Sequence, residues 1–431
     1  MESIWTKTVR LPQFPALTGD MKTDVLIIGG GMAGILCAYM LKEAGVDYVL
    51  AEADRICGGI TKDTTAKITF QHGFIYDKLI GRFGAAGAKV YLDANRAALD
   101  RFGQMCRFID CDFETVDSYV YTNNRAKMEA EAAALSRLGA SCDMVYSLPI
   151  AIPNRGAVRV KAQAQFHPLK FINGIAKDLN IWENTKVLEL EKGGAVTNHG
   201  RIKAKKIIIA THFPILNKHG LYFLKLYQHR SYVIALKNAP KFEGMYVDEK
   251  DSGMSFRRYG DLLLLGGGGH RTGKKGGNWK ELTDFAKKHY PDATITARWA
   301  TQDCMSLDSV PYIGQYAKST PDLFTAAGFN KWGMTGSMVS AMILAEAVQG
   351  RTHPYASFFS PCRSMLTARL AVNAAESTLG LLTPTLPRCP HLGCALRYNS
   401  AEHSWDCPCH GSRFDEKGNL INNPATDDKH F

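Results

Sequence analysis

Residues 24–52 read, without a break, as strand, glycine turn, helix, strand and acid. Asp24 to Ile28 is an apolar β-type run ending in Gly29-Gly30-Gly31-Met32-Ala33-Gly34. An alanine- and leucine-rich helical pattern follows to Gly45, a helix stop, and a second apolar run, Val46 to Ala51, ends in Glu52. Gly29, Gly31 and Gly34 therefore form G-x-G-x-x-G where the spacing has a physical meaning. The first glycine permits a tight turn, the second lets a pyrophosphate approach the backbone, and the third lets helix and strand pack closely while the helix N-terminus faces the phosphates. Glu52, 18 residues past Gly34, stands where a carboxylate bonds ribose hydroxyls. The parts in register predict dinucleotide binding by Gly29, Gly31, Met32, Ala33, Gly34 and Glu52, but do not separate FAD from NAD.

The rest of the chain suits a larger enzyme. Its 431 residues allow two or three domains with a full core. A content of 45% hydrophobic and 22% charged residues excludes a collagen, a coiled coil, a disordered tail and a small disulfide scaffold. The net charge of +11 is spread along the chain, densest only from Arg271 to Lys280, and predicts a solvated surface rather than a nucleic-acid site. The start, MESIWTKTVRLPQF, has no apolar core of a signal peptide, and the longest uncharged stretch, Val25 to Leu41, is short and glycine-interrupted for a membrane span. Eleven irregularly placed cysteines fit a cytoplasmic protein. Helical pattern is expected from Phe83 to Leu138. Strands are expected at Val187–Leu190, Lys206–Ala210, Tyr232–Leu236 and Asp261–Leu265, with a tight turn at Gly266–Gly269. Leu323 to Ala326 reads as a strand entering a glycine turn and a helix over roughly 336–349.

Three segments carry a resemblance. They are the fingerprint; Arg55-Ile56-Cys57-Gly58-Gly59-Ile60-Thr61 after Glu52; and Ala326-Ala327-Gly328-Phe329-Asn330-Lys331-Trp332-Gly333-Met334-Thr335-Gly336, preceded by Asp308 and Val310-Pro311-Tyr312-Ile313-Gly314. Over about residues 20–360 the chain resembles the D-amino-acid oxidase family of FAD-dependent oxidoreductases. The resemblance implies a Rossmann-like FAD-binding domain interleaved with an antiparallel-sheet substrate domain. It adds Gly59, Thr61, Thr65, Val187, Gly328, Trp332, Gly333 and Met334 to the FAD-binding residues. The late turn would set backbone N–H groups and a helix N-terminus against the flavin edge that carries negative charge when reduced. Thr64 to His72 falls where relatives bring side chains beside the flavin ring, which makes Lys67 and His72 the candidate catalytic residues; a surface lysine and a structural histidine are the alternatives. The strand Lys206 to Thr211 resembles the family's second nucleotide-side strand, with His212 where a glycine is common.

Near the end stand Cys389-Pro390-His391-Leu392-Gly393-Cys394 and Cys407-Pro408-Cys409-His410-Gly411-Ser412. These resemble the two-part C-x-H…C-x-x-H signature of Rieske [2Fe–2S] domains, small all-β folds in which two thiolates hold one iron and two imidazoles the other. The resemblance implies Cys389, His391, Cys407 and His410 as cluster ligands and a disulfide between Cys394 and Cys409. A zinc site of two Cys and two His would pair C-x(2–4)-C with H-x(3–5)-H; Cys389 and Cys394 have the first spacing, but the second is absent from the sequence. Ser412 could donate a hydrogen bond to a cluster sulfur, whereas Phe414 stands where high-potential members have a tyrosine. The expected domains are 20–360 for the flavoprotein, 361–384 for a linker and 385–431 for the cluster, with the final strands abbreviated.

Together the halves imply oxidation of the C–N bond of an amine or amino acid, with electrons passing from FAD to the cluster and on to an external acceptor, a protein or a quinone. Arg155, Arg159, Arg257, Arg258, Tyr232 and Tyr259 are candidates for a substrate-carboxylate clamp. The alternative is an NAD(P)H-dependent reductase running through FAD and the cluster to a substrate or partner protein. It would need a second nucleotide turn, for which only Gly266–Gly269 offers itself.

Overall fold

The structure is a computed structural model that describes residues 2–216, 219–276, 278–384 and 387–429. The apolar run at the fingerprint forms the strand Met21–Ile28, with Val25 to Ile28 buried. It pairs in parallel with Tyr48–Ala51 on one side and Gly200–Ile209 on the other. Leu323–Ala327 extends the parallel order beyond Gly200–Ile209, and Ile181–Trp182 extends it beyond Tyr48–Ala51. The helices Met32–Glu43 and Gly333–Ala347 pack against each other beside this sheet. Both are apolar nearly all round, as helices in a core must be.

A second sheet of nine strands stands beside the first; it is antiparallel except where Met245–Asp248 pairs with Glu114–Tyr121. Its strands come from residues 67–165 and 226–306, between those of the first sheet, so the two domains interleave as expected. The strands Thr294–Ser306, Leu226–Lys237 and Leu262–Arg271 lie side by side at one end. A third, four-stranded antiparallel sheet, residues 397–422, forms the small all-β end of the chain.

Two expectations are corrected. The helical stretch from Phe83 to Leu138 is broken: a helix Tyr76–Cys106 and another, Arg125–Arg137, flank the strand Glu114–Tyr121. That strand's segment, ETVDSYVY, is rich in β-branched and aromatic residues, and pairing with Ala157–Gln165 overrides the helical pattern around it. Gly266–Gly269 is not a turn but the middle of the strand Leu262–Arg271. A Cβ on Gly267 would stand 2.9 Å from Leu282, and one on Gly269 2.7 Å from the carbonyl oxygen of Asp251. Close approach across the sheet, and not chain reversal, is what these glycines permit.

The segment after residue 361 contains the helix Ala368–Leu382, which packs on the cluster loops. Ala395 N–H bonds the Gly380 carbonyl at 2.9 Å, and Arg388 reaches the carbonyls of Leu381 at 2.9 Å and Thr383 at 2.6 Å. The expected limits of the cluster domain, residues 385 and 431, lie outside the described residues. Among the described residues no helix is long and apolar enough to cross a membrane.

Candidate active site and cluster site

The fingerprint turn is built as its glycines require. Gly29 has φ +106°, and a Cβ there would sit 2.8 Å from the Ala210 carbonyl oxygen; a Cβ on Gly34 would collide with the carbonyl oxygen of Gly29. Glu52, at the end of its strand, accepts from the Gly30 N–H at 2.6 Å and the Asp54 N–H at 3.0 Å. Burial pushes its carboxyl up, and those two amides hold it down. Thr61 Oγ1 accepts from the Met32 N–H at 3.0 Å, tying the segment after Glu52 to the first turn of the fingerprint helix.

A cavity of about 410 Å³ opens from this turn. Gly29, Gly31, Met32, Ala33, Glu52, Gly59, Thr61, Thr65, Trp332, Gly333 and Met334 all line it, as do Lys67 and His72. Gly34, Gly328 and Val187 do not. Gly34 acts through helix–strand packing, Gly328 (φ +74°) turns the chain beside Ser306, and Val187 packs on the apolar cluster behind the sheet. Two helix N-termini, at Met32 and Gly333, converge on the cavity, and a Cβ on Gly59 would meet nothing within 4 Å. This cradle of bare backbone and positive dipole ends fits a dinucleotide's phosphates and an anionic flavin edge.

Polar side chains also line the cavity. Lys67 Nζ bonds Thr65 Oγ1 at 3.0 Å, and burial, with Arg257 nearby, lowers its ammonium to about 7. His72 is fully engaged: Nδ1 meets Tyr91 Oη at 2.6 Å, Nε2 meets the Thr69 carbonyl at 2.7 Å, and the ring stacks on Trp332 at 4.6 Å. Burial lowers it to about 3, which keeps the ring neutral. His212 adopts φ +65°, the left-handed region of the glycine it replaces, and its Nε2 meets Gln228 Oε1 at 3.1 Å.

Five of the six clamp candidates are engaged elsewhere, and the sixth lies outside the cavity. Arg257 donates to the carbonyls of Ala66 and Phe166 at 2.9 Å, and of Thr65, beneath the Trp5 ring. Arg159 pairs with Asp143 at 2.7 Å, Arg258 donates to the Gly260 carbonyl, and Arg155 is exposed outside the cavity. Tyr259 donates to Asp112, and Tyr232, although it lines the cavity, donates its hydroxyl to Glu402. In their place the wall presents Asp303 and Lys331, which the sequence reading missed. Burial raises Asp303 to about 6 against the pull of Lys331, and Lys331 Nζ donates to the Asp251 carbonyl at 2.7 Å. Lys331 stood in the quoted glycine turn, directly before Trp332; Asp303 had no local signal.

The two cluster loops come together in the fold. Cys389, Cys394, Cys407 and Cys409 are buried together, and the sulfurs of Cys394, Cys407 and Cys409 lie within 4.8 Å of one another. Hydrogen bonds from Cys389, Cys394 and Cys409 hold the Cys407 thiol well below its usual range, which favours the thiolate a metal needs. The rings of His391 and His410 stand 5.0 Å apart and perpendicular, and the buried His410 Nδ1 has no hydrogen-bond partner. Two thiols, two imidazoles and an orphaned ring nitrogen fit a [2Fe–2S] cluster of mixed ligation. Cys394 and Cys409 are adjacent free thiols. Ser412 Oγ accepts from the Ala425 N–H at 3.0 Å and bonds the Cys389 thiol.

Phe414 is fully buried in the same cluster of side chains. Phe414→Tyr should raise the cluster's reduction potential by about 40 mV, the one-electron equivalent of a hydrogen bond of about 1 kcal/mol. Redox titration followed by electron paramagnetic resonance checks this; an unchanged or lowered potential would contradict it.

A Rossmann-like sheet with a dinucleotide cradle, interleaved with a substrate sheet and followed by a Cys/His cluster domain, defines a flavoprotein oxidoreductase with an attached iron–sulfur centre. Residues 24–347 match the FAD dependent oxidoreductase (DAO) family, and residues 368–430 match the Rieske [2Fe-2S] domain. The chain belongs to the FAD dependent oxidoreductase family and carries a Rieske domain; its cofactors are FAD and a Rieske-type [2Fe–2S] cluster. The Bacillus subtilis (strain 168) protein YhfW, whose name places it among Rieske 2Fe-2S iron-sulfur proteins, is 33% identical over 488 aligned positions, covering 98% of this chain and 96% of that one. The flavoprotein part is similar in fold to L-proline dehydrogenase from P. horikoshii, with TM-score 0.67 and 16% identity over 80% of this chain and 98% of that one. Glycine oxidase from Geobacillus kaustophilus is similar to the same degree, with TM-score 0.67 and 18% identity over 80% of this chain and all of that one.

Proposed function

We propose that this protein oxidises the C–N bond of an amine or amino acid and delivers the electrons, through its cluster, to an external one-electron acceptor. One observation carries the reading: the cavity lined by the fingerprint is lined also by Lys67, Asp303 and Lys331, which gives a dinucleotide and a charged substrate one chamber. FAD supplies the two-electron acceptor, and the [2Fe–2S] cluster the one-electron outlet. Asp303 suits an ammonium group, and Lys67 and Lys331 suit a carboxylate, so the wall offers both signs that an amino acid carries. The similar folds named as acting on proline and glycine support the same substrate class. The reductase alternative loses its candidate site, because Gly266–Gly269 is strand and not a nucleotide turn. The cysteine usage supports a cytoplasmic setting.

The test is the flavin absorbance of the purified protein under anaerobic conditions. Bleaching is expected with a member of a panel of amines and N-methyl amino acids, and none with NADH. Rapid bleaching by NADH, with none by the panel, would overturn the reading.

Lys67 is charged below about pH 7 and neutral above it. Binding of benzoate to the FAD-loaded protein, read from the flavin spectrum, should therefore tighten as pH falls through about 7. Lys67→Met should flatten that dependence; an unchanged profile would remove Lys67 from the anion site. The Cys394–Cys409 disulfide is part of the same proposal. Alkylation of the denatured, unreduced protein should leave two of its eleven cysteines unmodified, and full modification would exclude the bond.

A further inference from the structure

The cavity and the cluster share one wall. On the strand Thr294–Ser306, Thr301 and Asp303 line the cavity, while Gln302 between them points to the other face, as strand alternation demands. There Gln302 is fully buried: its Nε2 donates to the Gly411 carbonyl at 2.9 Å, and its Oε1 accepts from Thr272 at 3.1 Å. Arg271 donates to the carbonyls of Pro408 at 3.1 Å and Cys409 at 2.8 Å, and to Asn373 Oδ1 at 2.7 Å. Three carbonyls of the second cluster loop are thus satisfied by two side chains of the substrate sheet.

The fit is close on both sides. A Cβ on Gly273 (φ +75°) would stand 2.5 Å from the Pro408 nitrogen, and one on Gly411 (φ +89°) would collide with Gln228, the residue that His212 meets from the cavity. A second anchor lies at Glu402 of the cluster domain, which binds Arg230 of the sheet and Arg413 of its own domain, all three nearly buried. His410, on the seated loop, is buried with Nε2 3.4 Å from Ser377 Oγ, whereas His391, on the other loop, is half-buried.

We infer that Gln302 and Arg271 are positioning residues that seat the second cluster loop on the back of the flavin cavity's wall, making the cluster a fixed outlet separated from that cavity by one layer of strands, with its outward side at His391. The inference rests on the proposed flow of electrons from flavin to cluster. Each electron leaves the reduced flavin, reduces the oxidised cluster, and passes on the His391 side to an external one-electron acceptor. Two passages discharge the electron pair of one C–N oxidation, and its two protons go to water.

The test uses the protein loaded with both cofactors. Its flavin is reduced by light with EDTA as the electron donor, so no amine is needed and the outcome is independent of the substrate assignment. Cluster reduction is then followed by absorbance, and hydrogen exchange is measured for the peptide spanning 407–411. Gln302→Ala, Arg271→Met and Gly273→Ala, the last a wedge that removes no bond, should each speed exchange in that peptide. Each should also slow cluster reduction several-fold, because electron transfer between two centres falls off exponentially with their separation. Dithionite should still reduce the cluster fully. Arg271→Lys and Gln302→Asn, which keep a donor, should fall between wild type and the truncations, and they carry the test if a truncation fails to load its cluster. Wild-type transfer rates across the series, or unchanged exchange of the loop, would overturn the inference.

Discussion

Cys407→Ser should abolish the cluster while leaving the flavin in place. Cys407 is buried against Cys389 in the second loop of the segment that matches the Rieske domain. A serine hydroxyl offers neither the charge nor the soft donor that iron–sulfur ligation needs. Iron analysis and the reduced-state paramagnetic signal should fall to background, while flavin content per chain stays at the wild-type value. The cavity is lined by residues 29–78 and 210–337 and by Arg369, none of them in the cluster loops, so it does not depend on the ligand. The cluster domain should also become easier to proteolyse, because a bound metal centre contributes folding free energy to a small domain. Wild-type iron content in the variant would remove Cys407 from the ligand set.

Gly34→Val should do the converse. Any side chain at this position meets the Gly29 carbonyl oxygen. Relief requires the fingerprint helix to lift from its strand, which displaces both the Met32 N–H and the turn that a pyrophosphate approaches. Overpacking of a tight contact costs about 1–3 kcal/mol, and the same shift takes the helix N-terminus away from the phosphates. The variant should purify nearly free of FAD, with its iron content close to wild type. Retention of stoichiometric FAD would show that the helix–strand contact does not shape the binding turn.

The parts that were legible in the chain are those whose geometry is set by near neighbours. The fingerprint was readable because Gly29 constrains Gly34, and Gly30 constrains Glu52, within a single strand–helix–strand unit. The Rieske domain was readable because each loop carries its own cysteine and histidine at fixed spacing. The rest depended on partners far along the chain. Gly266–Gly269 looked like a turn because Leu282, Asp251 and His229, which crowd those glycines, are invisible from within the run. Arg257 looked like a substrate clamp until Trp5 and the carbonyls of Ala66 and Phe166 closed around it. The strand Glu114–Tyr121 was hidden between two helices and owes its form to pairing with Ala157–Gln165. Asp303 and Gln302 are adjacent in sequence yet serve opposite faces of one sheet, and only the position of the cluster loop 109 residues further on gives Gln302 its meaning.

The same long-range contacts explain why the cluster domain belongs to the body of the protein. Arg230, Glu402, Arg413 and Asp406 form one buried network across the boundary. Removing the central carboxylate would leave two guanidiniums without it, a loss of the kind that costs about 3–5 kcal/mol. Such a network holds an orientation, and an orientation is what electron delivery between two centres requires.

The most direct measurement is the cluster's paramagnetic signal after anaerobic addition of the amine or amino acid that bleaches the flavin. If the flavin is the entry and the cluster the outlet, the reduced [2Fe–2S] signal should appear within a single turnover, without any other reductant. An amine-bleached flavin beside a cluster that stays oxidised, while dithionite still reduces it, would contradict the account.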